Sequence, residues 1–423
     1  MSTGSRRTQF VFAATGTKGD LLPLLALGRA MVRRGHAVHL VANEGYAAAA
    51  AGHGLAFTGV TVDQADNTVS PHDNLNHHIF PSYAPSLEFF REQVSVNPDL
   101  VVVNLDEYSA SNTIAEHFGL PVCRIHLAPN RIRSLIRPPW PFHEKFRGPM
   151  GATYRKHFLP LIYASWARVP SFMNALNRFR AGLSLRPLQT TDEVDHVVRQ
   201  HLGFFPDWYA EPAADWPRPF ELVGFPLPAS SSSPPARLTE FIAREGKPLV
   251  FTPGTGVPDV RQFFDEARHC CEALGMPGVF LSPHLRTPSE RPGSRIIHFD
   301  FVELSLVLQH AAALVHHGGI GTTARAFQAG VPQIIRPKLY DQPDNGDRVN
   351  RLGVGRCLLS DHYTNDKLIE AVASIRSSQE VDRALARIRR LVAASDAVEL
   401  AANLLERRFV HERPAFTASK RAG

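Results

Sequence analysis

The sequence predicts an α/β protein built as two doubly wound domains. Three observations carry that expectation. The chain has 423 residues, too long for a single hydrophobic core. Residues 9–42 alternate strand, loop, helix and strand, the rhythm of a βαβ unit. The same rhythm restarts at residue 248, after a serine- and proline-rich stretch at 230–237 ("SSSSPPAR") without apolar periodicity.

"QFVFAA" (9–14) is a short β-branched and aromatic run, and the glycine-bearing "TGTKGD" follows it. In "LLPLLALGRAMVRR" the apolar Leu21, Leu24, Leu25, Met31 and Val32 recur at helical spacing, and Gly35 stands where a C-cap glycine belongs. "AVHLVA" (37–42) reads as a second buried strand, while "DLVVVN" (99–104) and "PVCRIHLA" (121–128) bracket another helix and extend the sheet. Residues 129–200, rich in Arg, Pro and aromatics, depart from the alternation. Beyond the Ser/Pro stretch come the strands "PLVFTP" (248–253), "GVFLS" (278–282), "RIIHFDF" (295–301), "AALVHH" (312–317) and "PQIIRP" (332–337), with helices between them. The expected division is a first domain 1–228, a linker 229–246, a second domain 247–395, and a C-terminal helix and tail 396–423 packing back on the first domain.

With 44% hydrophobic and 20% charged residues, the composition is that of an ordinary globular protein. The N-terminal run "FVFAA" is too short for a secretory h-region, and no segment reaches the ~20 apolar residues that span a bilayer. Cys123, Cys270, Cys271 and Cys357 have neither CxxC nor zinc spacing, which points to unpaired thiols in the cytoplasm. The net charge of +6 is spread out, so nucleic acid is not an expected partner and contact with a membrane is at most peripheral.

The stretch "VHHGGIGTT" (315–323) sits between a strand and the helix-like "ARAFQAG". Ligands of open α/β sheets bind beyond the carboxyl ends of the strands. A helix N-terminus there offers unsatisfied N–H groups and a partial positive charge suited to phosphate. Glycines let the backbone approach an oxygen, Thr322 adds a hydroxyl, and His317 a hydrogen-bond donor. A tight turn needing glycine for steric reasons fits the spacing alone equally well. Farther on, "KLYDQPDN" carries Asp341 and Gln342, a carboxylate and an amide suited to vicinal sugar hydroxyls.

Taken whole, "VHHGGIGTTARAFQAGVPQIIRPKLYDQPDN" (315–345) resembles the donor signature of GT-B glycosyltransferases of the UDP-glycosyltransferase-like superfamily. "FFPDWYAEPAADWPRPFELVGFPLP" (204–228) is similar to the interdomain segment of their bacterial rhamnosyltransferase and sterol glucosyltransferase branches. The resemblance implies a GT-B fold, two Rossmann-like domains facing a cleft. It also implies a UDP- or dTDP-linked sugar as co-substrate, no other cofactor and no metal. His317, Gly319, Gly321 and Thr322 would hold the diphosphate, and Asp341 with Gln342 the sugar. Phe301 and Val302 fall at the base-binding position, and Thr255 of "TPGTG" (252–256) near the phosphates. One departure stands out: many relatives place a ribose-binding glutamate where this chain has Arg325, which cannot accept a hydrogen bond.

Transfer to an alcohol needs a general base. The loop "GTKGDLLP" (16–23), with Gly16 and Gly19, resembles the "GSRGD" loop of bacterial relatives, which implies Asp20 as that base. By itself Asp20 also suits the N-cap of a helix starting at Leu21. Plant relatives pair their histidine base with a later aspartate; the matching position here is Leu105, with Asn104 and Asp106 beside it, so no such pair is expected. His72, Asp73, His77 and His78 are metal-ligating types at a spacing that fits no common site, and a surface or acceptor-side loop is the expectation. The aromatic stretches between 65 and 200 suggest a small hydrophobic acceptor: a hydroxy-fatty-acid lipid, a sterol or a polyketide-like aglycone. Two competing readings share the architecture, a nucleotide-sugar 2-epimerase and a non-catalytic auxiliary of a partner transferase.

Overall fold

Alternation along the strands sets the layers. In β1 (Gln9–Ala13), Phe10 and Phe12 enter one apolar cluster and Val11 another, because successive side chains leave a strand on opposite faces. A sheet buried on both faces reads as an almost continuous apolar run, as β4 (Val101–Leu105) does. This computed structural model describes residues 7–14, 18–60, 84–105, 109–142, 148–230, 232–254, 260–285, 294–359 and 363–412. They fall into two units, Met1–Pro226 together with Ala397–Gly423, and Leu227–Asp396.

The first unit is a seven-stranded parallel sheet in the order β3-β2-β1-β4-β5-β6-β7. Its other strands are β2 (Ala37–Asn43), β3 (Ala56–Val60), β5 (Val122–His126), β6 (Val198–Gly203) and β7 (Phe220–Leu222). Helix α1 (Lys18–Arg33) crosses from β1 to β2, followed by α2 (Ala47–Gly52), α3 (Ala84–Val96) and α4 (Ser109–Phe118). The irregular middle folds as α5 (Gly148–His157), α6 (Leu159–Trp166) and α7 (Pro170–Gly182). Strands β3, β6 and β7 are absent from the sequence reading; β6 carries the polar run Arg199–His201, and β7 has three residues with the half-buried pattern of an edge. Helix α1 begins at Lys18, so Asp20 lies inside the first turn and the alternative reading of it as the N-cap of a helix starting at Leu21 does not apply.

The second unit is a six-stranded parallel sheet in the order β10-β9-β8-β11-β12-β13. The strands are β8 (Leu249–Thr252), β9 (Gly278–Leu281), β10 (Ile296–Phe299), β11 (Ala313–His316), β12 (Gln333–Ile335) and β13 (Gly355–Cys357). Its helices are α8 (Ala236–Glu245), α9 (Arg261–Leu274), α10 (Leu304–Leu308), α11 (Ile320–Ala329), α12 (Gln342–Arg351), α13 (Asn365–Arg376) and α14 (Gln379–Ala393). The segment 229–246 differs from the expected linker. Residues Ala236–Glu245 are helical, and Leu238 and Phe241, three apart on one face, are buried in the core of this unit beside Val250 and Leu314.

The last helix, α15 (Ala397–Glu406), belongs to the first unit. Ala401, Ala402, Leu404 and Leu405 pack with Leu24, Leu27 and Met31 of α1. Charge fixes the contact: Arg34 pairs with Glu399 at 2.6 Å and with Glu406. The buried His36 accepts the Thr8 amide at Nδ1 (3.3 Å), so Nε2 carries the proton and donates to Glu406 at 3.0 Å. Among the described residues no helix is long and apolar enough to cross a membrane. Removing the Glu406 carboxylate leaves the His36 N–H buried without an acceptor. Glu406→Ala should therefore lower unfolding free energy by about 1–3 kcal/mol in urea denaturation, and a change within error would show the pairs to be surface decoration.

Candidate functional site

In both sheets the strand order reverses between the first strand and its neighbour, β1 beside β4 and β8 beside β11. At such a point the loops beyond the carboxyl ends diverge and leave a crevice. Asp20 follows β1 in one unit; Gly254 and His317 follow β8 and β11 in the other. The parallel register sets His316 opposite Thr252, which brings residues 317 and 254 together.

The two histidines that end β11 do different things. His316 is fully buried. Its Nδ1 accepts the Gly318 amide at 3.1 Å, so Nε2 is the protonated nitrogen and donates to Gln333 Oε1 at 3.0 Å. Gln333 passes the chain on by donating to the Thr323 carbonyl at 3.3 Å. His316 thus stiffens the turn in a single tautomer, and burial, followed by its neighbour His317, pushes its pKa down to about 3.

His317, one residue beyond the strand, is half-buried. Its imidazole lies between two glycines: a Cβ on Gly319 would stand 2.5 Å from Nε2, and one on Gly254 2.8 Å from Cε1. Gly254 also has φ +91°, a backbone few other residues adopt. Burial pushes the His317 pKa down to about 4, against a smaller upward pull from the Thr252 backbone. The ring is neutral at pH 7, and its Nδ1 is buried without a hydrogen-bond partner among the described residues. It offers one N–H as donor rather than a fixed cation.

Helix α11 starts directly beyond this ring. Gly319 is its N-cap and no side chain caps it, so the amides of Ile320, Gly321 and Thr322 have no acceptor within the helix. The first intrahelical bond is Thr323 N–H to the Gly319 carbonyl at 3.0 Å. Helix α11 begins at Ile320, four residues before the helix-like "ARAFQAG", which puts Gly321 and Thr322 inside the first turn. A Cβ on Gly321 would meet nothing within 4 Å, so the first turn is uncrowded at that residue.

The segment carrying Asp341 is bolted to this turn. Asn345, fully buried on α12, donates to the Gly318 carbonyl at 2.8 Å and to Asp341 Oδ2 at 2.7 Å. Gln342 Oε1 accepts the amides of Lys338 (2.8 Å) and Leu339 (3.2 Å), which leaves its NH2 group as the part able to reach a ligand. Between them Tyr340 holds φ +60°, unusual for a side chain of that size. Asp341 is thus an acceptor and Gln342 a donor, on a short strained turn one bond away from the glycine loop.

Residues 10–96 match the Glycosyltransferase family 28 N-terminal domain, and residues 289–406 match the Erythromycin biosynthesis protein CIII-like C-terminal domain. Glycosyltransferase GtfC of Amycolatopsis orientalis is 27% identical over 396 residues, 89% of this chain and 92% of GtfC. Among solved structures, the glycotransferase of kitacinnamycin matches with TM-score 0.75 at 20% identity, over 96% of this chain and 100% of that one. Spinosyn rhamnosyltransferase SpnG complexed with thymidine diphosphate matches with TM-score 0.63 at 18% identity, over 94% and 99%. The chain has the GT-B fold, and the domain matches and the relatives support a glycosyltransferase of that type.

Two positions of this glycosyltransferase differ from what the resemblance implies. Val302 is buried with Leu308 and Ile297, so only its main chain is available to a base, whereas Phe301 is 60% exposed and presents its ring. Arg325, where relatives carry a glutamate, donates to Gln328 Oε1 at 2.8 Å and to the Pro228 carbonyl at 3.0 Å. Burial pushes its pKa down, and Glu303 partly offsets that. It borders a cavity of about 200 Å³ with Ser230, Ser305 and Arg389. The nearby Glu303 carboxylate already accepts the hydroxyls of Ser230 (2.6 Å) and Ser305 (3.1 Å).

In the first unit, Asp20 is half-buried in the first turn of α1, beside the exposed Gly19. Burial, then the Asp20 carboxylate, raises the pKa of Tyr46, which keeps that phenol protonated and close by. Leu105 lies in the apolar cluster of Phe12, and Asn104 donates inward to Ser111 Oγ (2.7 Å) and Asn112 Oδ1 (2.6 Å). No carboxylate stands at position 104 or 105. Gly16, Thr255, Asp106, His72, Asp73, His77 and His78 lie outside the described residues. Among the described residues no three His, Cys, Asp or Glu side chains gather as metal ligands would.

Sequence reasoning passed over Gly254, Gln333 and Asn345. Gly254 was within reach in "TPGTG", but its tie to His317 depends on knowing that β8 pairs with β11. Asn345, four residues beyond Asp341 on one helix face, could have been found from that spacing.

Two outcomes check this geometry. Gly319→Ala should weaken nucleoside diphosphate binding at least ~tenfold in calorimetry, whereas Gly321→Ala, with open space around it, should fold normally and gain up to ~1 kcal/mol from helix propensity. Acid should also act through the histidines. Above pH ~6.5 the buried neutral His316 contributes in full; as pH falls toward 3 the unfolded chain takes up a proton the native one refuses, and stability drops by up to ~1.4 kcal/mol per pH unit. The stability gap between the wild type and His316→Gln should therefore narrow between pH 7 and pH 4.

Proposed function

We propose that this glycosyltransferase moves a hexose of glucose or rhamnose type from a UDP- or dTDP-sugar to a hydroxyl of a small hydrophobic acceptor, with inversion at the sugar carbon. The observation that carries the reading is the His317 ring packed between Gly254 and Gly319 at the mouth of an uncapped helix. A neutral N–H and three free amides form a preorganised set of donors for a diphosphate, and they need no metal ion to supply positive charge. Asp341 and the Gln342 amide receive the sugar hydroxyls, and the exposed Phe301 ring stacks on the base.

On this reading Asp20 takes the proton of the acceptor hydroxyl as its oxygen attacks C1 of the sugar. The bond from C1 to the phosphate oxygen breaks, its electron pair stays on that oxygen, and the donor amides meet the charge as it develops. The position of Asp20, beyond β1 at the strand-order reversal of its own sheet, is the counterpart of the position His317 holds in the second. Two observations support dTDP as a donor nucleotide. Arg325 has no acceptor for a 2′-hydroxyl, and the SpnG structure was obtained with thymidine diphosphate. The similarity to GtfC and to the kitacinnamycin and spinosyn enzymes supports a natural-product aglycone as acceptor.

Asp20→Asn should lower kcat by at least ~tenfold and leave the Kd for dTDP or UDP within twofold or so of wild type, since general base catalysis is worth ~10²–10⁴-fold. His317→Ala should do the reverse at the binding step, weakening either diphosphate in calorimetry. Turnover unchanged in the first variant would remove Asp20 from the chemistry, and an unchanged Kd in the second would remove the cradle.

A further inference from the structure

Two residues other than glycine, among those described, have φ in the left-handed range: Ser184 at +58° and Tyr340 at +60°. Ser184 has an ordinary reason. It follows the end of α7, where its amide donates to the Ala181 carbonyl at 3.0 Å, and a left-handed residue commonly closes a helix there. Tyr340 closes no helix. The Gln342 amide donates to the Leu339 carbonyl at 3.3 Å, which makes Leu339–Gln342 a turn with Tyr340 second and Asp341 third. Asp341 has φ −78° and ψ −11°, so positive φ falls on the second position alone, the pattern of a type II′ turn. Such a position favours glycine, because a Cβ there crowds the backbone.

The fold gives no reason to keep a tyrosine in that place. Its side chain is 65% exposed, and no hydrogen bond or ring contact joins it to another described residue. The turn is held from either side instead. Gln342 Oε1 accepts the Lys338 and Leu339 amides, while Asn345 donates its backbone N–H to the Asp341 carbonyl at 2.9 Å and its side chain to Asp341 Oδ2 at 2.7 Å. These bonds would hold the same turn with glycine at position 340. A strained backbone that its surroundings enforce, carrying an exposed ring, is the mark of a ligand clamp.

The neighbouring side chains say what the clamp takes. Asp341 offers an acceptor and Gln342 an NH2 group, the pair assigned above to sugar hydroxyls. Tyr340 adjoins them in the same turn. A pyranose gripped by hydroxyls at its edge turns C–H groups outward from its faces, and the electron-rich face of an aromatic ring attracts such groups.

We infer that Tyr340 is a binding residue for the donor sugar: its ring covers one carbon face of the hexose whose hydroxyls Asp341 and Gln342 hold. The strained turn is kept for that contact. The inference rests on the donor reading and deepens it, by adding a residue that tells a sugar nucleotide from the bare nucleoside diphosphate.

Calorimetry on the full chain tests it, with UDP, dTDP, UDP-glucose, dTDP-glucose and dTDP-rhamnose as titrants. Tyr340→Ala keeps a Cβ at the strained position and removes only the ring, so its thermal midpoint should stay within ~1 °C of wild type. It should bind the preferred sugar nucleotide at least ~threefold more weakly, with the Kd of the matching diphosphate unchanged within ~1.5-fold. Tyr340→Phe, which keeps the ring, should bind both as wild type does. Tyr340→Gly should lose the same sugar contribution, and relief of the positive φ should raise its midpoint by ~1–3 °C. Equal weakening of diphosphate and sugar nucleotide in Tyr340→Ala, no weakening of either, or the same loss in Tyr340→Phe would overturn the inference. So would a lower midpoint in Tyr340→Gly, which would assign the ring to folding. Failure of the wild type to bind any diphosphate would remove the donor reading itself, and this inference with it.

Discussion

The wedge of His317 between two bare backbones is the constraint from which the rest of the second unit follows. An imidazole has room there only because residues 254 and 319 have no side chain. Both glycines are in place because β8 and β11 are parallel neighbours whose ends open onto one crevice. The wedge in turn keeps residue 319 at the cap of α11, so the helix starts with no side chain over its first amides. Replace the ring with something smaller and the turn loses its packing; add a methyl to either glycine and the ring must leave.

A second layer of hydrogen bonds holds the first. His316, Gln333 and Thr323 run beneath the turn, while Asn345 ties the Gly318 carbonyl to Asp341 from the side. A donor molecule contacting both the loop and Asp341 therefore meets one rigid body, with little ordering left to do on binding. Placing these groups on strand ends and a buried helix rather than on a long loop gives them this fixity.

How much of this was legible in the sequence depended on distance along the chain. The glycine loop, its histidine and the following helix are contiguous, so "VHHGGIGTT" exposed them at once, as it did the α/β alternation around them. Gly254 and Asn345 act on that loop from 63 and 27 residues away, measured from His317 and Gly318, and needed the strand order and the fold of α12. The helix in 229–246 was hidden by its neighbours: prolines and serines set the tone, although Leu238 and Phe241 carry helical spacing. Val302 was singled out by its position in the family resemblance, which says nothing of burial, and its side chain joins the core of the second unit while that of Phe301 stays exposed.

The return of α15 to the first unit makes that unit discontinuous in the chain, while the second is one uninterrupted segment. Ala401, Ala402, Leu404 and Leu405 fill a core begun by residues synthesised almost four hundred positions earlier. During translation the second unit can therefore complete itself as it leaves the ribosome, whereas the first must wait with α1 uncovered until the final turns emerge. Truncation at the carboxyl terminus would thus injure the amino-terminal half of the molecule.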